Sequence, residues 1–312
     1  MRARLALAAA VVDDVRRSED VVAALVVGST ALRRCSARAD LDVVVVTAST
    51  PGNERFTSDT IDGVKVEIER LSRREALATT AGGGWIWELR QASRLGTGVP
   101  VFDPDGFAAV LAHRAAAMMP WPDRVEDTLR DVYVALVDLA GREDAGRRAD
   151  GLRGVLDNLA LLTLLEHPRR YQKAKWALAD LLHAGHDVLV DTILAAYGIE
   201  EADAAAVIGA REIIGQVYAL TGLPSHEAIL ALGYAPELAE ASYVSRTLDD
   251  AEDLEASGRL VEAQYVAKFA TRLAAGLISP PDAEGGVVDV LAERGGDDLA
   301  RRYLALFPSA AE

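Results

Sequence analysis

Asp40 and Asp42 stand one residue apart at the head of an apolar run, Leu41-Asp42-Val43-Val44-Val45-Val46, in a chain of 312 residues. Alternate side chains of an extended strand share a face, so both carboxylates project together while Leu41 and Val43 pack inward. Two carboxylates side by side repel unless a cation neutralises them. Oxygen ligands of this kind suit Mg2+, which takes one or two carboxylates and completes its shell with substrate phosphates. Two such ions, roughly 3.5–4 Å apart, can clamp the attacking and leaving oxygens of an in-line displacement. Asp40 and Asp42 are therefore candidate metal ligands and catalytic residues.

With ten residues between it and Asp40, Val26-Val27-Gly28-Ser29 closes another apolar run. A glycine at a strand end lets backbone approach a phosphate. The Ser29 hydroxyl and the free N–H groups of a helix expected to begin near Thr30 can hold the β- and γ-phosphates. A third carboxylate is expected from Val64-Lys65-Val66-Glu67-Ile68-Glu69, whose alternation puts Glu67 and Glu69 on one polar face. Either can complete the metal site or take a proton from an attacking hydroxyl. Glu67, nearer the middle of the strand, is preferred.

The elements that must position these residues alternate in type over the first third of the chain. Strands are expected at 21–27, 41–46, 56–61, 64–68 and 99–102, with Asp62-Gly63 as a two-residue hairpin turn. Helices are expected near 5–15, 73–80, 85–94 and 106–118. The first of these follows Met1-Arg-Ala-Arg4 and imitates a secretory signal, but Asp13-Asp14 and Arg16-Arg17 end it without a small-residue cleavage site. Beyond Pro120-Trp121-Pro122 strand signals almost vanish. Apolar residues there recur at three and four over 124–141, 148–165, 169–183, 187–197, 202–220 and 236–277, the pattern of a helical bundle. The expected class is α+β: a mixed sheet flanked by helices over residues 1–120, then an all-α domain over 121–312.

The order Gly-Ser, short spacer, Asp-x-Asp and acid-bearing strand resembles the nucleotidyltransferase superfamily of DNA polymerase β, the CCA-adding enzymes and the aminoglycoside nucleotidyltransferases. The resemblance covers roughly residues 20–110. Many small family members carry Arg-Gly shortly after the Gly-Ser, where this chain has Leu32-Arg33, and often a serine where it has Ala39. Neither departure removes a metal ligand. Downstream, Tyr171-Gln172-Lys173-Ala174-Lys175-Trp176 looks like the Lys-Trp-bearing helix of the antibiotic nucleotidyltransferases. That likeness implies that Lys173 or Lys175 reaches the triphosphate, and that Trp176 anchors the core or walls the cleft. The bland reading of the segment is a solvated basic helix face.

Charge bears on the acceptor. Residues 1–120 carry 15 basic and 15 acidic side chains, while 121–312 carry 18 and 33, so the whole net charge of −15 sits in the helical part. Such a surface repels polyphosphate backbones and attracts cations, which disfavours RNA and DNA as acceptors. The single cysteine, Cys35, excludes an internal disulfide and fits a reducing, cytoplasmic setting, and no stretch looks built to span a membrane. The sequence thus suggests a Mg2+-dependent transferase moving AMP, from a nucleoside triphosphate, to a hydroxyl of a small acceptor, cationic as an aminoglycoside is, or a natural-product intermediate. The alternatives are a toxin-like transferase acting on tRNA or protein, and a nucleotide sensor without turnover.

Overall fold

The computed structural model describes residues 1–36, 39–50, 54–141, 145–165, 167, 173–224, 239–278 and 287–307. The chain is α+β and divides into two compact units. One comprises Met1–Glu126 with a short piece beginning at Leu164; the other comprises Asp127–Thr163 and Lys173–Glu312.

The first unit opens with α1 (Arg2–Val15), β1 (Val21–Val26), the single helical turn α2 (Gly28–Ala31) and β2 (Leu41–Thr47). A hairpin of β3 (Phe56–Ile61) and β4 (Val64–Ser72) follows. Asp62 and Gly63 both have positive φ, 53° and 76°, the backbone that a two-residue hairpin turn demands. Next come α3 (Arg73–Thr79), α4 (Ile86–Gly96), β5 (Val99–Phe102) and α5 (Phe107–Ala117). Ser72 and Glu75 form a capping box that starts α3 directly from β4. The Asp103 carboxylate accepts the N–H groups of Phe107 and Ala108 at the head of α5, at 2.7 and 3.1 Å.

The five strands lie in the order β3-β4-β2-β1-β5. β2 and β4 run parallel, and every other neighbouring pair is antiparallel. Leu41, Val43, Val45 and Val26 pack on one face with Ala8, Val12 and Val15 of α1. Leu25, Val27, Val44, Val46 and Leu71 pack on the other with Ala76, Leu95, Phe107 and Leu111. Burial on both faces explains why β2 reads as a continuous apolar run rather than an alternating one. β4 also outlasts its expected end at Ile68, because Leu71 and Ser72 continue the parallel pairing with Val46 and Thr47.

From Pro122 onward all regular structure among the described residues is helical: α6 (Pro122–Gly141), α7 (Ala145–Leu165), α8 (Ala174–His183), α9 (Asp187–Ala196), α10 (Ala205–Thr221), α11 (Ala239–Ala256), α12 (Leu260–Gly276) and α13 (Val287–Leu306). Two features differ from the sequence expectation. Of the expected stretch 236–277, the described residues from 239 on form two helices, because Gly258 turns left-handed (φ 76°) and the Arg259 N–H closes on the Leu254 carbonyl at 2.9 Å. α13 has no counterpart in the expected set; Gly295-Gly296 interrupts its apolar period, and Gly296 leaves helical geometry altogether. Residues 168–172 and 280–281, which the sequence reading used, lie outside the described residues. No helix among the described residues is long and apolar enough to cross a membrane.

α12 forms the centre of the second unit and packs against α10 and α11. Its Arg272 is held by Asp150 at 3.0 Å and Asp157 at 2.5 Å, both from α7. Tyr197 donates its hydroxyl to Asp157 at 2.7 Å and Tyr303 donates to Asp150 at 3.1 Å. Burial pushes the Asp157 carboxyl above its ordinary range, although Arg272 opposes it.

Candidate active site

β1 delivers the chain to a tight turn against the start of β2. The Val27 N–H donates to the Asp42 carbonyl at 2.9 Å, and Gly28 then adopts φ +66°. A Cβ built on Gly28 would lie 2.4 Å from Asp42 Oδ2, far inside any real contact. The Asp42 carboxylate therefore rests on the bare backbone of Gly28, and only glycine accommodates both the dihedral and the approach. The helical turn opens at Gly28 rather than at Thr30, closing Leu32 N–H on the Gly28 carbonyl at 3.1 Å and Arg34 N–H on the Ser29 carbonyl at 2.8 Å. The first N–H groups of such a turn have no acceptor within it.

The three residues of the turn are not equivalent. Ser29 is half-buried, and its hydroxyl makes no hydrogen bond to a described residue. Thr30 is 1% exposed, and its buried Oγ1 has no partner among the described residues. Arg33 takes φ 59°, a left-handed geometry held without the glycine that adopts it most easily.

The acids are placed by strand register. On the β2–β4 pair Asp42 faces Glu67, Val44 faces Glu69 and Val46 faces Leu71. One face of this pair thus grades from acidic at its mouth to apolar in its core. Glu67 sits at the mouth with a side chain 43% exposed. Glu69 lies one pair deeper, 8% exposed, and is bound by Arg94 of α4 and by Arg55 at 3.4 Å. Alternation alone leaves the two glutamates equal; the register and the two arginines separate them.

Asp40 precedes β2, and two basic residues that the sequence reading passed over act on it. Arg4 of α1 donates to the carbonyls of Ala39 at 2.6 Å, Asp40 at 3.2 Å and Ser36 at 3.2 Å. It ties the loop carrying Asp40 to the helix behind the sheet. Lys65 places its Nζ 2.5 Å from Glu67 Oε1 and 3.5 Å from Asp40 Oδ2. The Glu67 hydrogen bond, with the charges of Glu67 and Asp40, raises the Lys65 ammonium above its ordinary pKa against a smaller opposing effect of burial. Its place two residues before Glu67 on the same strand face was a signal for this role. Nothing in the sequence connects Arg4 with Asp40.

Among the described residues no three carboxylate, thiol or imidazole groups are gathered into a ready-made metal cage. The cation that bridges Asp40 and Glu67 here is the Lys65 ammonium. The donor set nevertheless fits a hard divalent cation: oxygen ligands from Asp40, Asp42 and Glu67, partly solvated, beside the Gly28 turn. The two expected phosphate-binding lysines belong to the second unit. There Lys175 is buried and bound to Asp250 at 2.5 Å, so it is neither a solvated cation nor a free one. Lys173, 46% exposed, lies 3.9 Å from the same carboxylate. Trp176 is buried between Lys175 and Arg259, whose charges lie 5.3 and 5.0 Å from its ring centre.

Compared with known proteins, the chain matches no protein-family model and no curated sequence.

Proposed function

We propose that the chain is a nucleotidyltransferase of the DNA polymerase β type, moving a nucleoside monophosphate, AMP from ATP in the first instance, to the hydroxyl of a small cationic acceptor. The observation that carries this reading is the Asp42 carboxylate seated on Gly28 with Glu67 beside it in register. That contact brings the Gly28 turn and an acidic pair together in one place, as a site for a triphosphate and its cation requires.

In this reading the backbone N–H groups of the Gly28 turn and the Ser29 hydroxyl bind the triphosphate and aim its α-phosphorus at the acids. Asp40, Asp42 and Glu67 would hold Mg2+, which when bound supplies charge neutralisation along the triphosphate. The acceptor oxygen attacks the α-phosphorus, the bond to the bridging oxygen breaks, and pyrophosphate departs with the electron pair. Glu67, still partly solvated, receives the proton of the attacking hydroxyl. Lys65 must leave Asp40 and Glu67 for this, and the pyrophosphate oxygens offer its ammonium a new partner. Arg4 acts through Asp40 as a positioning residue. The acidic balance of the helical half supports a cationic acceptor rather than a nucleic acid.

One observation favours a second reading. An ammonium already bridging two of three carboxylates resembles a nucleotide sensor that has replaced metal by Lys65. A pyrophosphate-release assay separates the readings: four nucleoside triphosphates with Mg2+, each against an aminoglycoside panel and against total RNA. The transferase reading expects release with at least one small acceptor, and a loss of at least about a hundredfold in Asp42→Asn. Release undiminished in Asp42→Asn refutes the assignment. Tight triphosphate binding without release in any arm selects the sensor.

A further inference from the structure

The helical unit contains a cavity of about 610 Å3 beside the carboxyl end of α9. That size lies within the range of small-ligand sites, about 300–1,000 Å3. Gly209, Ile213 and Leu306 form its apolar wall, and Lys268 and Gln264 of α12 contribute polar groups. Glu200 and Glu201 stand at its rim, both exposed.

Lys268 is 2% exposed. Its Nζ donates to the carbonyls of Tyr197 at 2.7 Å and Gly198 at 3.2 Å, just past the end of α9. An ammonium has three N–H donors, so one is left over, and no described carboxylate forms an ion pair with it. The neighbouring carbonyl, Ala196, is already taken by the buried Arg153 at 2.7 Å. Burial, with the nearby charge of Arg153, pulls the Lys268 pKa down to about 8 against the opposing charge of Asp203, another lining residue. Gln264 is 4% exposed; its carbonyl oxygen accepts the Asp203 N–H at 3.1 Å, which fixes the amide orientation. Its NH2 group has no partner among the described residues. Two donors thus line one cavity with hydrogens that no described residue accepts, one of them on a buried cation that makes no ion pair and has only the Asp203 charge nearby. Such groups are costly to bury unless something accepts from them.

We propose that this cavity binds a small zwitterion, its carboxylate held by Lys268 Nζ and the Gln264 NH2, its ammonium drawn to Glu200 and Glu201. The chemical class is an amino acid or short peptide. A purely anionic ligand is opposed by the rim and by the net charge of −15. The proposal does not depend on the transferase reading, because its test uses no nucleotide.

The test is calorimetric titration of the full chain with the dipeptide Gly-Gly and with 4-aminobutyrate, using acetate and butylamine as singly charged controls. The Lys268 pKa is followed by 15N NMR in parallel. A zwitterion should bind at least about tenfold more tightly than either control and lift the Lys268 pKa above 8. Gly209→Leu fills the cavity on a helix that welcomes leucine and should abolish binding. Gln264→Glu keeps the acceptor for the Asp203 N–H but gives Lys268 an internal carboxylate; it should raise Tm and also abolish binding. Absence of binding by both zwitterions up to about 10 mM overturns the proposal. So does binding that survives in the folded Gly209→Leu and Gln264→Glu variants.

Discussion

Gly28→Ala probes the contact on which the candidate site rests. The new methyl faces two separate penalties. The left-handed dihedral, φ +66°, costs a non-glycine residue about 1–2 kcal/mol. The approach of 2.4 Å to Asp42 Oδ2 forces the carboxylate or the turn to move, an overpacking cost of about 1–3 kcal/mol. Only the second depends on Asp42, because trimming it to alanine leaves just its Cβ, 3.8 Å away in ordinary contact. A double-mutant cycle of Gly28→Ala and Asp42→Ala isolates it. Hydrogen exchange at the Val27 N–H, bonded across to the Asp42 carbonyl, reports the local opening free energy. Gly28→Ala should be the milder change in the Asp42→Ala background, by about 1–3 kcal/mol. Additivity within about 0.5 kcal/mol would mean that the Asp42 carboxylate does not lie on the glycine, and the geometry argued here would be wrong.

The two glutamates of β4 should part company under amide substitution. Glu69→Gln leaves Arg94 and Arg55 facing a neutral amide and should destabilise the first unit by about 3 kcal/mol in denaturant unfolding. Glu67→Gln, at a half-exposed position, should cost under about 1 kcal/mol while removing pyrophosphate release. Arg33→Gly relieves a left-handed arginine and should leave the Tm unchanged or slightly raised, whereas Arg33→Val should cost about 1–2 kcal/mol. Lys268 sets a pH dependence of unusual sign. Its folded pKa, about 8, lies below the ordinary 10.5, so the charged form opposes folding fully below pH 8 and progressively less toward 10.5. Stability should therefore rise above pH 8, by on the order of 3 kcal/mol over the whole interval, and Lys268→Met should lack that rise between pH 8 and 10. The Lys65 ammonium, raised by Glu67 and Asp40, acts oppositely: its contribution is complete below 10.5 and fades only at higher pH.

Local chemistry was legible in the sequence because it depends on neighbours along the chain. The β-branched run of β2, the Asp62-Gly63 turn and the glycine at the end of β1 all follow from strand period and dihedral preference. Helix boundaries were less legible where one glycine decides them. Gly258 splits what reads as a single apolar stretch, and Gly295-Gly296 hide the period of α13. The choice between Glu67 and Glu69 is different in kind. Both satisfy the same alternation, and only the parallel register of β2 and β4, with Arg55 and Arg94 closing on the deeper residue, tells them apart. Arg4 under the Asp40 loop, the reach of Lys65 to Asp40 and Lys175 on Asp250 likewise arise from chain segments that no sequence spacing relates. A single sequence specifies which side chains can share a face; which charges meet across that face is fixed when strands and helices choose their neighbours.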